Sequence, residues 1–142
     1  MDYLQTFAIS AAGMAVERTR VETAALNLAQ AHTAQSADQP AFQPLRVVAT
    51  GAEGFGGLVR AGLESVPLPS VTVEPSGVPA RLVHDPGHPL ADGRGFVAYP
   101  GVDPAREMVT LLGATRAYEA NVAAMNTART LALKTLEIGR ST

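Results

Sequence analysis

The chain contains no cysteine, which removes disulfides, thiolate metal sites and cysteine nucleophiles together. That absence does not fix the compartment, so an extracytoplasmic destination stays open. Aromatic residues are scarce, with no Trp, four Phe and three Tyr among 142 residues, and a large aromatic core is not expected. Charge of neither sign dominates. The 11 Lys and Arg against 13 Asp and Glu lack the electrostatic footprint of a nucleic-acid binder. No apolar run approaches the roughly 18 residues that span a bilayer. The uncharged segment 3–16 resembles the apolar part of a signal peptide, but only Met1 and Asp2 precede it, with no basic n-region. The expectation is a chain neither Sec-exported nor membrane-embedded. Its length suits one domain, or a small domain carrying helical arms.

What is present begins with Asp103 to Ile138, free of Pro after Pro104 and holding a single Gly. This predicts one long helix, with Asp103 as cap, Pro104 at the first helical position and Gly139 as stop. Within it Met108, Leu111, Thr115, Tyr118, Val122, Met125, Arg129, Ala132 and Leu136 alternate at spacings of three and four, winding one stripe along the helix. A second helical pattern covers 3–31, where Leu4, Phe7, Ala11, Met14, Arg18, Val21, Ala25 and Leu28 recur at the same spacings. Two matching stripes at opposite ends of a chain predict that the helices pair as an antiparallel coiled coil; the alternative is two ordinary amphipathic helices on a globular core. Each helix also carries a ridge of small residues. Ala8, Ala12, Ala15 and Thr19 form one, and Gly113, Ala117, Ala120, Ala124 and Ala128 the other, letting another backbone approach closely. Alanine's helix propensity also favours such ridges.

Between the helices, 32–44 is rich in Pro and turn formers, and short alternating segments follow. Strands are expected at 45–50, 58–66, 81–84 and 95–99, with a turn at Gly54-Phe55-Gly56-Gly57. Pro67, Pro69, Pro75, Pro79, Pro86 and Pro89 interrupt them, so any sheet is small with irregular edges. The expected organisation is an N-terminal core helix over 1–31, a loop and β-rich insertion over 32–102, and a C-terminal core helix over 103–140. The fold class is mainly α with a small, irregular central β domain.

Catalytic chemistry finds little footing. His84-Asp85-Pro86-Gly87-His88 gathers two imidazoles and a carboxylate, but Pro86 and Gly87 oppose the helix that would align them, and no Glu follows as base. The glycine cluster lacks the Lys-Ser/Thr pair of a phosphate loop. Ser65, Ser70 and Ser76 occupy no nucleophile-elbow context, and no paired carboxylates stand out. The reading is of a non-enzyme with no cofactor and no metal.

Several segments carry a resemblance. The run Pro86-Gly87-His88-Pro89-Leu90-Ala91-Asp92-Gly93-Arg94-Gly95-Phe96-Val97, then Tyr99-Pro100-Gly101-Val102-Asp103 and Glu107-Met108-Val109, resembles the bacterial flagellar basal-body rod proteins of the proximal rod, the FlgC type. So do Thr115-Arg116-Ala117-Tyr118-Glu119-Ala120-Asn121-Val122, Met125-Asn126-Thr127 and Leu133-Lys134-Thr135-Leu136-Glu137-Ile138-Gly139. At the other end Ala25-Leu26-Asn27-Leu28-Ala29 is similar to the signature shared by flagellar rod and hook axial proteins. There the sequence departs from the pattern, with Gln30 where the family usually has Asn and His32-Thr33-Ala34-Gln35 in place of the usual polar turn. Phe42 and Leu45-Arg46-Val47-Val48 resemble the family's entry into its β-rich part. The resemblance is strong over 86–139 and weak over 50–80.

The resemblance implies a structural subunit of the proximal rod, polymerising through its terminal helices into the drive shaft that transmits torque to hook and filament and forms part of the export channel. It implies homo- and hetero-oligomeric helical assembly with copies of itself, with other proximal and distal rod subunits, and with a membrane-ring or export-gate adaptor at the rod base. No nucleic acid and no small-molecule substrate are implied. The expected location is the basal body, reached through the flagellar type III apparatus. The interface expected on this basis comprises Leu4, Phe7, Met14, Val21, Asn27 and Leu28 on the first helix, and Met108, Leu111, Tyr118, Asn121, Val122, Met125, Asn126, Leu133 and Leu136 on the second. Asn27, Asn121 and Asn126 carry amides able to fix register or bond a neighbouring backbone. The rival classes are another rod or hook-type axial protein, a type III secretion structural adaptor, and an enzyme built on His84 and His88.

Overall fold

The computed structural model describes residues 3–38, 42–50 and 68–140. Two long helices bracket a small β region in the order α1 (Tyr3–Gln30), β1 (Gln35–Ser36), β2 (Leu45–Thr50), β3 (Ser70–Pro75), β4 (Arg81–His84), β5 (Phe96–Tyr99) and α2 (Pro104–Arg140). The strand expected at 58–66 and the turn at 54–57 lie outside the described residues. Strands β1 and β3 were not foreseen, though Val71 and Val73 do alternate with Thr72 and Glu74.

Helix α2 starts as its sequence dictates. Asp103 Oδ1 accepts the N–H groups of Ala105 at 3.0 Å and Arg106 at 3.3 Å, satisfying first-turn donors that lack intrahelical acceptors. Pro104 occupies the first helical position, where its missing N–H costs nothing. The far end differs from expectation, since Gly139 does not stop the helix but sits inside it. Helix α1 closes through three-residue turns, Ala31 N–H to Leu28 C=O at 3.2 Å and Thr33 N–H to Gln30 C=O at 3.0 Å.

The chain forms two compact units. The first holds, among described residues, 3–19, 49–50, 68–72 and 113–140. The second holds 20–48 and 73–112. Each helix thus contributes to both.

In the second unit β5 is the central strand of a three-stranded antiparallel sheet ordered β1-β5-β4. Its register sets Arg81 against Tyr99, Val83 against Val97 and His84 against Phe96 on one side, and Gln35 against Ala98 on the other. Val97 and Ala98 are both buried, as expected where a strand is paired at both edges. Two polar side chains fix this unit's connections. Asn27 is 1% exposed, and its amide spans the main chain of Leu45, donating to the carbonyl at 2.8 Å and accepting from the N–H at 2.9 Å. The chain entering β2 is thereby fastened to α1. Asp92 organises the turn before β5. Its Oδ1 accepts the N–H groups of Arg94 and Phe96, each at 2.8 Å, while the Arg94 guanidinium reaches Oδ2. Gly95, at φ 79°, completes that turn in a conformation other residues rarely adopt. Between Tyr99 and α2, Gly101 passes so close to Val78 and Pro79 that a Cβ there would collide with the Pro79 carbonyl.

Replacing Asn27 by Ala strands both polar groups of Leu45 without a side-chain partner. Leaving such groups unsatisfied costs about 2 kcal/mol, so Asn27→Ala is expected to lower the unfolding free energy by that amount, read as a lower urea midpoint with an unchanged slope.

The Asp92 carboxyl is lowered from its ordinary 3.8, first by the Phe96 N–H, with the Arg94 N–H and guanidinium adding to it and burial working the other way. A carboxyl lowered in the folded state contributes stability above its unfolded value, and this is lost as pH falls through the folded one. The difference in thermal midpoint between wild type and Asp92→Asn should therefore be constant above pH 5 and shrink below pH 3.8. A difference that is flat down to pH 2 contradicts the assigned turn.

Candidate functional site

The residues with chemical potential are occupied with structure. The His84 ring meets Phe96 edge-on, with centroids 5.0 Å apart. His88 Nδ1 accepts the Leu90 N–H at 3.1 Å across a tight turn. Among the described residues no group of three or more His, Asp or Glu side chains comes together as a cation site, and no helix is long and apolar enough to cross a membrane. The second unit has a cleft of about 590 Å³, where Arg20, Thr23 and Leu45 meet Arg106, Glu107 and Thr110. Its mixed charges converge on no nucleophile and base pair.

The helices are a different matter. On α2 the least exposed positions are Leu111, Ala114, Ala117, Asn121, Met125, Ala128 and Ala132, again spaced by three and four. On α1 they include Ser10, Val16, Thr23, Ala24 and Asn27. The fully buried positions of the stripe are small or polar side chains and Val16, while Leu111 and Met125 are half-buried among them. A Cβ on Gly13 would stand 2.7 Å from Asn121 Oδ1, so glycine leaves the room that the Asn121 side chain takes against α1 in the first unit. The Asn121 amide meanwhile donates to the Ala117 carbonyl one turn back, at 2.9 Å.

Several large side chains are left outside. Of the residues the sequence singles out, Leu4 is 79% exposed, Met108 59%, Tyr118 40%, Leu133 52% and Leu136 71%, and Asn126 is also exposed. Phe7, Met14, Val21, Leu28, Leu111, Asn121, Val122 and Met125 are half-buried. Asn27 is fully enclosed and bonded within its own chain. Val109, Leu112, Leu131 and Ile138 are exposed as well and were not anticipated. Their signal was present, since 109, 112, 116, 120, 123, 127, 131, 134 and 138 follow a second run of three and four, which Arg116, Thr127 and Lys134 disguise. Exposed apolar surface on this scale marks an interaction site in a soluble chain.

Known proteins resemble this sequence. A profile described as flagellar basal body rod FlgEFG protein C-terminal matches residues 94–138. Flagellar basal-body rod protein FlgC of Salmonella typhimurium is 35% identical, the match covering 99% of this chain and 100% of that relative. FlgC of Bacillus subtilis is 31% identical over 93% of this chain and 95% of its own. FlgC of Aquifex aeolicus is 36% identical over 96% and 97%. With relatives 31% to 36% identical and matched over almost their whole length, the chain belongs to the FlgC family of flagellar basal-body rod proteins.

Proposed function

We propose that this structural rod subunit builds the proximal rod, polymerising through its terminal helices with copies of itself and with other rod subunits, and resting on an adaptor at the rod base. In that role it carries torque toward hook and filament, lines part of the export channel, and leaves the cytoplasm by the flagellar type III route. The carrying observation is the outward apolar surface of α1 and α2, which the isolated chain does not cover.

The core of each subunit in this reading is an antiparallel coiled coil of 1–31 with 103–140, and 32–102 is an insertion. Two sets of contacts support that sense. Gly13 faces Asn121 in the first unit, while Arg20, Thr23 and Ala24 share their cleft with Arg106, Glu107 and Thr110 in the second. As α1 advances from 13 to 24, its neighbour on α2 retreats from 121 toward 106. Leu4, Phe7, Met14, Val21, Leu28, Met108, Leu111, Tyr118, Val122, Met125, Leu133 and Leu136 are then the residues on which contacts within and between subunits rest. Asn121 and Asn126 supply amides for register.

The test is assembly in the cell. Tyr118→Asp and Met125→Asp should each abolish swimming in a complemented deletion strain, because a carboxylate in an apolar contact is strongly disfavoured, while the protein remains detectable with normal helical content. A motile double variant contradicts the interface.

A further inference from the structure

Two glycines inside the helices have opposite surroundings. At Gly13 a Cβ would strike the Asn121 side chain, so the glycine is required by what stands next to it. At Gly113 a Cβ would meet nothing within 4 Å. Packing gives no reason for a glycine there, and glycine weakens a helix interior because its backbone has the most freedom to lose. Every other residue from 104 to 138 carries a Cβ. The freest backbone position of α2 is therefore a single residue well inside the helix.

The chain divides at the same level. Its two compact units part α2 between 112 and 113 and α1 between 19 and 20. In the antiparallel pairing proposed above, on which this inference rests, Gly13 meets Asn121, and counting on from that contact sets Thr19 beside Thr115, close to Gly113. Both helices are loosened hereabouts. Thr19 Oγ1 donates to the Ala15 carbonyl at 3.0 Å, and Thr110 Oγ1 to the Arg106 carbonyl at 3.0 Å, a bond that engages a helical acceptor and bends helices. Such threonines recur farther along α2, at Thr127 and Thr130, so the glycine is what singles out this level.

We propose that Gly113 is a joint in α2, at which the isolated chain bends between the helical stretches 104–112 and 113–140. Hinges are a few positions, often small residues, that absorb the backbone change while the elements on either side stay intact. Each stretch here has its own anchor. The Asp103 carboxylate holds the start of the first, and Asn121 seated at Gly13 holds the second. A bend at Gly113 breaks neither, and it lets a subunit adjust to neighbours that meet it at unlike angles.

The absence of native cysteine allows paired spin labels. Ala105 and Ala123 are both exposed, and labels on an Ala105→Cys, Ala123→Cys chain share one side of α2 about five turns, or about 27 Å, apart if the helix is straight. Electron–electron distance measurement on the isolated full chain is expected to give a broad distribution that reaches shorter separations. Adding Gly113→Ala, which fits the open space and restricts the backbone, should collapse it to one narrow peak near about 27 Å. A peak equally narrow with Gly113 in place overturns the joint, as does a distribution equally broad with alanine there. A second pair, Ala15→Cys with Ala120→Cys, separates these outcomes from failure of the pairing. Both residues are exposed and lie beside the Gly13 and Asn121 contact, so a single short separation shows the helices paired whatever the first labels report. A long separation overturns the antiparallel reading itself.

Discussion

The packing of the first unit depends on how α1 and α2 meet at Gly13. Gly13 stands where any side chain would strike Asn121, and the buried positions around it are Ser10, Val16, Ala114 and Ala128. Small residues bury little area each, so this seam contributes little hydrophobic stabilisation at about 25 cal/mol per Å². What it contributes is geometry. An Asn121 side chain seated against Gly13 fills the space between the helices there, and Leu4, Met108, Tyr118 and Leu136 are left exposed. The isolated subunit is weakly held along its distal helices and richly equipped to be held by others. In the rod assembly proposed above, neighbouring subunits cover these side chains.

The second unit obeys a different rule. Its order comes from polar side chains that satisfy main-chain groups, Asn27 on Leu45 and Asp92 on the turn before β5, and from close passages such as Gly101 against Pro79. Such contacts are directional and specify one conformation. They hold this unit in one shape. The Asp92-Gly93-Arg94-Gly95-Phe96 and Ala25-Leu26-Asn27-Leu28-Ala29 segments, which carry the family resemblance, are the ones that make these bonds.

Much of this was legible in the chain. Both helices, the Asp103 cap and three of the strands follow from spacing and turn chemistry, because those signals are local. The inward face was harder. Period alone sets a stripe's pitch but not which of two adjacent stripes is buried, and the usual preference for large apolar residues selects Met108, Tyr118 and Leu136. The structure buries Ala114 and Ala128 and half-buries Ala117, on the face where Asn121 meets Gly13. Asn27 showed as a position of note from its signature, but its partner Leu45 lies 18 residues away, beyond any local pattern. Strand β3 was obscured by its flanking prolines, and Gly139 stays helical where glycine more often ends a helix.

The central claim is that neighbouring subunits complete the outer faces of these helices. Hydrogen exchange by mass spectrometry, on the isolated chain and on purified rods, measures it most directly. Peptides covering 129–139 should exchange rapidly in the isolated chain and become strongly protected in rods, while peptides covering 94–100 exchange alike in both. Distal α2 peptides already protected in the isolated chain, or still unprotected in rods, would contradict the account.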